Sequence, residues 1–345
     1  MGVLEILLAL LGISVLVIIH ELGHYLAARA FGMRVLRFSI GFGPTIFKYQ
    51  PKGSPTTFLI GAIPFLAYVQ VAGMNPFEHV DTKDPAVFGN KSLFGRMTFA
   101  FAGPFANYLI ACVLAFVVAT LGWPTDELVA PVTVEAIETD GAAAEAGLLP
   151  GDVIVRANGE AVNEFEDLRR ITSARAGQPT EYLVERDGAR IAPLQITPRE
   201  HEGRGLIGVR PQYRHTYKEP MALADAAELA VVFPFRFTLM QIRGLMRPDA
   251  HKGLTGPVGM ATIVAEQVRR GPLDYLFILV VLSIALGFFN LLPFPALDGG
   301  RLAFLGYEAV TRQRPNERFE AAVHMIGLLF LLGVLVLVTF RDIWG

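Results

Sequence analysis

From Val3 to Ala28 the chain is an almost unbroken run of apolar residues, interrupted by His20-Glu21-Leu22-Gly23-His24. About 20 apolar residues cross a bilayer as a helix, so the run predicts a transmembrane helix with an ionisable cluster at membrane depth. Such groups are costly in lipid and mark a functional site by default. On that helix, residues four apart lie about 40° apart around the axis. His20 and His24 therefore share a face and can grip one metal ion, and two neutral imidazoles suit Zn²⁺. Glu21, one step round, is placed to take a proton from an attacking water. A pair of helix-surface histidines bonding to headgroups or backbone is the bland alternative, and membrane depth disfavours it.

Three more segments predict spans: Met97–Leu121, Leu273–Leu292 and Val323–Phe340. Only 18% of the residues are charged and 52% are hydrophobic, a balance that points to the bilayer. A net charge of −2 gives no reason to expect a nucleic-acid partner. The first span is not read as a cleaved signal, because its leading residues carry Glu5 and no Lys or Arg. The single cysteine, Cys112, excludes an intrachain disulfide. Eight basic residues lie between Arg29 and Arg96 and four between Arg301 and Arg318, with none before the first span. The positive-inside rule then puts these two loops in the cytoplasm, and both termini and the long insert outside.

The insert changes character: short β-branched strands, Gly/Pro/Asn turns and a helical stretch at Phe165–Ser173 predict an α+β domain. The order of "AAAEAGLLPGDVIVRANGEAV" resembles a PDZ domain. The expected organisation is residues 1–123 with spans one and two, 124–200 as the external PDZ-like domain, 201–272 as a linker, and 273–345 with spans three and four. Within the first part, residues 38–71 read as a membrane-associated β-hairpin. Within the linker, "ALADAAELAVVFPFRFTLMQIRGLM" reads as an amphipathic helix on the outer membrane surface or a plain linker helix. The fold class is thus a polytopic α-helical membrane protein with four transmembrane helices, a membrane-associated β-hairpin region and one inserted α+β PDZ-like domain.

A catalytic zinc takes three protein ligands and keeps one open position. His201, His215 and His251 fall in the external segment, His79 in a cytoplasmic loop and His324 at the start of span four. The other polar interruption at membrane depth is "FFNLLPFPALDGGR". Pro293 and Pro295 forbid a continuing helix there, and irregular backbone at that depth must line a cavity or be covered by protein. Asp298 is therefore expected to be the third ligand, although an interfacial aspartate capping the next helix would look the same. Asn290 offers hydrogen bonds to a substrate backbone or to carbonyls freed by the kink.

"HELGH" and "NLLPFPALDGG" together resemble the two signature motifs of the site-2 protease family of intramembrane zinc metalloproteases. The likeness extends to "FSIGFGP" (Phe38–Pro44), "AGPFAN" (Ala102–Asn107) and "LTGPVGMA" (Leu254–Ala261). The resemblance implies zinc held by His20, His24 and Asp298, Glu21 as general base, and Asn290 positioning the scissile strand. It also implies single-span transmembrane substrates, such as anti-sigma factors or remnant signal peptides, in a bacterial inner membrane, with an upstream protease possible. Two features depart from the pattern: there is room for one PDZ-like domain rather than a tandem pair, and Phe65-Leu66-Ala67 replaces the usual glycine pair of the β region. Rival expectations are a non-enzymatic PDZ scaffold and a zinc sensor or transporter. Spans two and four hold no acidic residue and only His324, at one end, which gives a conduction path little support.

Overall fold

Backbone N–H and C=O groups in hydrocarbon must be satisfied within the segment, which makes an apolar run of this length a helix. In the computed structural model, which describes residues 2–74, 81, 83–201, 203–247 and 255–344, the chain forms two compact units, 1–123 with 219–345 and 124–218. His79, His251 and Leu254, together with the side chain of Phe65, lie outside the described residues.

The first unit is built on α1 (Val3–Ala30), α2 (Leu93–Leu121), α7 (Pro272–Leu291) and α9 (Glu317–Trp344). These contain the four described stretches long and apolar enough to cross a membrane. Small residues let the helices approach. A Cβ at Gly23 of α1 would overlap the Ala102 carbonyl oxygen of α2, and one at Gly287 of α7 would come within 3.0 Å of the Pro104 carbonyl oxygen. Ser283 of α7 adds a hydrogen bond from Oγ to the Asn107 carbonyl, 2.8 Å. Shorter helices α5 (Leu223–Leu245), α6 (Pro257–Arg270) and α8 (Asp298–Thr311) complete the unit. Asp342 near the end of α9 accepts backbone N–H groups of Gly256 and Gly259 at the start of α6, at 3.2 and 2.8 Å.

The segment expected to be either a surface-lying amphipathic helix or a plain linker helix packs against a neighbouring helix. α5 packs lengthwise and antiparallel on α2: Met221 N–H reaches the Ala119 carbonyl at 2.9 Å, and Thr238 meets the Tyr108 hydroxyl at 2.7 Å. Ala230, Phe233 and Phe237 bury against Ala111, Ala115 and α7. Its apolar face is thus matched to a neighbouring helix, which a surface-lying helix would leave to lipid.

The β region is more than the expected hairpin. Strands β1 (Val35–Tyr49) and β2 (Thr57–Val71) each bend in the middle. Residues 35–40 pair with 67–71 on one side, in antiparallel register. On the other side 37–40 pair with 57–60, with partner numbers rising together, and 58–61 pair with 45–49. The result is four rows in the order 67–71, 35–40, 57–60, 45–49. The two connections cross, so that a Cβ at Gly41 would lie 2.8 Å from the Gly61 oxygen and one at Gly61 2.7 Å from Phe42 N. Only glycine fits both places, and Gly41 also has φ +87°.

The second unit runs past residue 200 because its last strands pair with its first. After α3 (Ala142–Glu145), α4 (Phe165–Ser173) and β5–β11 (between Val153 and Leu206), β12 (Val209–Pro211) pairs with β4 (Val134–Ile137), and β13 (Tyr213–Tyr217) with β3 (Pro124–Leu128). Its core joins Leu148, Ile154, Leu168, Tyr182, Val184 and Ile196. Asp152, buried, takes a bidentate ion pair from Arg186 at 2.7 and 2.8 Å and the Leu149 N–H at 2.8 Å, closing the Leu-Pro-Gly-Asp turn.

Candidate active site

On α1 the helical repeat brings His20 and His24 to the face that meets α2, where both are buried. His24 Nδ1–H donates to the Phe99 carbonyl at 2.8 Å, which leaves the Nε2 lone pair free. His20 Nδ1 faces the Asn107 amide at 3.1 Å. Opposite the rings stands Gly103 of α2: a Cβ there would overlap His24 Nε2 and lie 2.8 Å from His20 Nε2. The "AGPFAN" stretch thus does three things for the cluster. The Ala102 carbonyl seats against Gly23 of α1, Gly103 makes room for the imidazoles, and Asn107 contacts one of them.

Asp298 reaches the same place from the other end of the chain. After α7 ends at Leu291, residues 292–297 run irregularly and Ala296 adopts φ +76°. Its N–H donates to His324 Nδ1 at 2.9 Å, tying the segment to α9. Gly299 and Gly300 lie so close to the Leu292 and Phe294 carbonyls that no Cβ fits. α8 begins at Asp298, whose Oδ2 stands 3.0 Å from His20 Nε2 and 3.2 Å from His24 Nε2. The two imidazole nitrogens are 3.2 Å apart.

These spacings test the fit of a metal. Ligands at 2.0–2.1 Å around a tetrahedral zinc are separated by about 3.3 Å, and the three atoms here form a nearly equilateral triangle close to that size. Two imidazoles and one carboxylate, each offering one atom, are a zinc donor set, and the residues fit the ion. Glu21 projects beside them, half-buried, with its carboxylate near the Val69 backbone of β2.

Asn290 is placed otherwise than a free substrate contact: Nδ2 donates to the Leu286 carbonyl one turn back, 2.9 Å. His215 pairs with Asp126 at 2.9 Å in the second unit, and His201 ends strand β10 (Arg199–His201) there. Beside the Asp298 segment opens a cavity of about 970 Å³, lined by Ala296, Arg301, His324, Glu308 and Arg96 among others.

Residues 8–334 match the model of peptidase family M50. The chain belongs to that family. It is 32% identical to metalloprotease MmpA of Caulobacter vibrioides, over 99% of this chain and 96% of that protein. It is 30% identical, over 98% of each chain, to a protein of Fusobacterium nucleatum named "Putative zinc metalloprotease". The solved PDZ domain of an SdrC-like protein from Listeria monocytogenes is also similar, with 19% identity, covering 25% of this chain and 93% of that one, TM-score 0.22. As an M50 member the chain is a zinc metalloprotease of the site-2 type, a multi-pass membrane protein that acts on membrane-protein substrates within the bilayer.

Proposed function

We propose that this chain cleaves the transmembrane segments of single-span proteins in regulated intramembrane proteolysis, with His20, His24 and Asp298 as the zinc ligands and Glu21 as the general base. The observation that carries the assignment is the meeting of three ligand atoms, 3.0–3.2 Å apart, beside a carboxylate at the depth of the spanning helices. When bound there, zinc supplies Lewis acidity and brings the pKa of a coordinated water to about 7. Glu21 takes the proton of the attacking water and delivers it to the leaving amine.

A transmembrane substrate hides its peptide bonds in i→i−4 hydrogen bonds and must unwind to be cut. Freed backbone groups need partners in lipid. The row at residues 67–71 forms one edge of the β region, and Glu21 lies near Val69 within it. A groove of about 260 Å³ follows its Tyr68, Val69, Gln70 and Val71. The unwound substrate adds along that edge as a further strand. Asn290, half-buried at the end of α7 with Nδ2 committed to its own helix, offers Oδ1 to the substrate from the other side.

The charge count favours a bacterial inner membrane protein with both termini and the inserted domain on the periplasmic side. The inserted domain, proposed to be of PDZ type, excludes substrates that still carry a bulky external part. Anti-sigma factors and remnant signal peptides both fit such a substrate class. The test is cleavage of a single-span reporter reconstituted with Glu21→Gln protein: zinc content stays near wild type and cleavage is lost. A Glu21→Gln protein that still cleaves would remove Glu21 from the chemistry.

A further inference from the structure

Asn107 sits in the middle of the second span with no exposed surface, and its carbonyl is pinned by Ser283. As the amide stands, Nδ2 faces His20 Nδ1 at 3.1 Å while Oδ1 is buried without a hydrogen-bond partner among the described residues. A neutral imidazole that gives its Nε2 lone pair to a metal carries its proton on Nδ1, and Nδ1–H can face only an acceptor. The present orientation sets two donors against each other in the metal-bound form. The two ends of the amide have the same shape, and turning it by 180° satisfies His20 Nδ1–H with Oδ1.

We infer that Asn107 is a positioning residue for the metal centre: its Oδ1 accepts the His20 Nδ1–H and so fixes the tautomer and ring plane that present Nε2 to the ion. His24 is held in the same manner by the Phe99 carbonyl. Both imidazoles are therefore oriented by one helix, α2, eight residues apart and on its α1-facing side. Partners of this kind hold ring orientation and raise ligand basicity, and their loss typically weakens metal binding about 10–100-fold. The inference rests on His20 being a zinc ligand.

The experiment measures zinc affinity of the full chain in detergent by competition with a chromogenic chelator, for wild type, Asn107→Asp, Asn107→Leu, Asn107→Ala and His20→Ala. The thermal midpoint of each metal-free protein is recorded in parallel. Asn107→Leu and Asn107→Ala are expected to weaken zinc about 10–100-fold, with metal-free midpoints close to wild type. Asn107→Asp, which keeps an acceptor, is expected to bind near the wild-type value. If the branched leucine side chain cannot be packed between the helices and Asn107→Leu fails to fold, the smaller Ala variant decides. Wild-type affinity in the Ala variant, or an Asp variant as weak as the Ala variant, overturns the inference while His20→Ala still abolishes binding. Unchanged affinity in His20→Ala instead overturns the ligand assignment beneath it.

Discussion

His24 Nε2 lies 3.2 Å from Asp298 Oδ2, across 274 residues of chain. That distance makes the proposed zinc site a tertiary feature, dependent on α8 being docked against α1 and α2. Replacing Asp298 by Ala should reduce zinc affinity by more than the roughly 100-fold upper range of an outer-shell loss, while the apolar helix packing persists. Equilibrium dialysis against zinc reads the affinity, and helical circular dichroism reads the fold. Wild-type zinc binding by Asp298→Ala would remove the carboxylate from the site.

Gly103→Ala places a methyl group where His24 Nε2 lies and 2.8 Å from His20 Nε2. The rings must turn away, so zinc binding and cleavage should both fall at least tenfold, the order of loss expected when ligand orientation is disturbed. Gly306→Ala on α8 has open space around the new Cβ and should be stabilising by about 0.5–1 kcal/mol with activity unchanged. Reporter cleavage and thermal midpoints of the two variants, measured together, check the contrast.

Arg96 of α2 and Glu308 of α8 form a bidentate, largely buried pair at 2.8 and 2.6 Å. It fixes the helix whose first residue is Asp298. Arg96→Met alone should destabilise, by less than the about 3–5 kcal/mol of a fully stranded buried charge because Arg314 still stands 3.5 Å from Glu308, and the double replacement with Glu308→Leu should recover much of the loss. A double-mutant cycle on thermal unfolding in detergent provides the measurement. A double variant no more stable than Arg96→Met would show that the single loss does not come from the stranded carboxylate.

In the inserted unit, burial would push the Asp152 carboxyl up, but the two hydrogen bonds from Arg186 and one from Leu149 N–H outweigh it and hold it below its ordinary value. Its contribution is therefore complete above about pH 4 and is lost as pH falls through the lower folded-state value. Hydrogen-exchange protection of β7 (Thr180–Arg186), corrected for intrinsic rates, should drop below about pH 4 in wild type. In Asp152→Asn it should be about 2 kcal/mol lower at neutral pH and less sensitive to acid. Equal acid sensitivity in both proteins would place the titrating group elsewhere.

What could be read from residues alone follows from how local each feature is. His20 and His24 share a helix, and helical periodicity alone brings them together. Asp298 was legible because two prolines and a carboxylate are too costly at membrane depth unless they line a site or are covered by protein. Gly103 and Asn107 were not assigned to the centre: in an apolar span a Gly-Pro and a lone Asn say nothing of which helix they face. The four-row β sheet also escaped, since alternation marks strands but not that both bend and cross at Gly41 and Gly61. Arg236 and Arg243 broke the apolar run of α5, which hid its long contact with α2. The inserted unit was drawn to end near residue 200, because the pairing of Tyr213–Tyr217 with Pro124–Leu128 spans nearly the whole unit and leaves no local signal.

The most direct measurement is zinc K-edge X-ray absorption on the purified chain. Two imidazole nitrogens and low-Z oxygen ligands at about 2.0–2.1 Å are predicted for wild type and for Glu21→Gln, with one imidazole lost in His24→Ala. A sulfur ligand at about 2.3 Å, or a spectrum that His24→Ala leaves unchanged, would contradict a centre built from His20, His24 and Asp298.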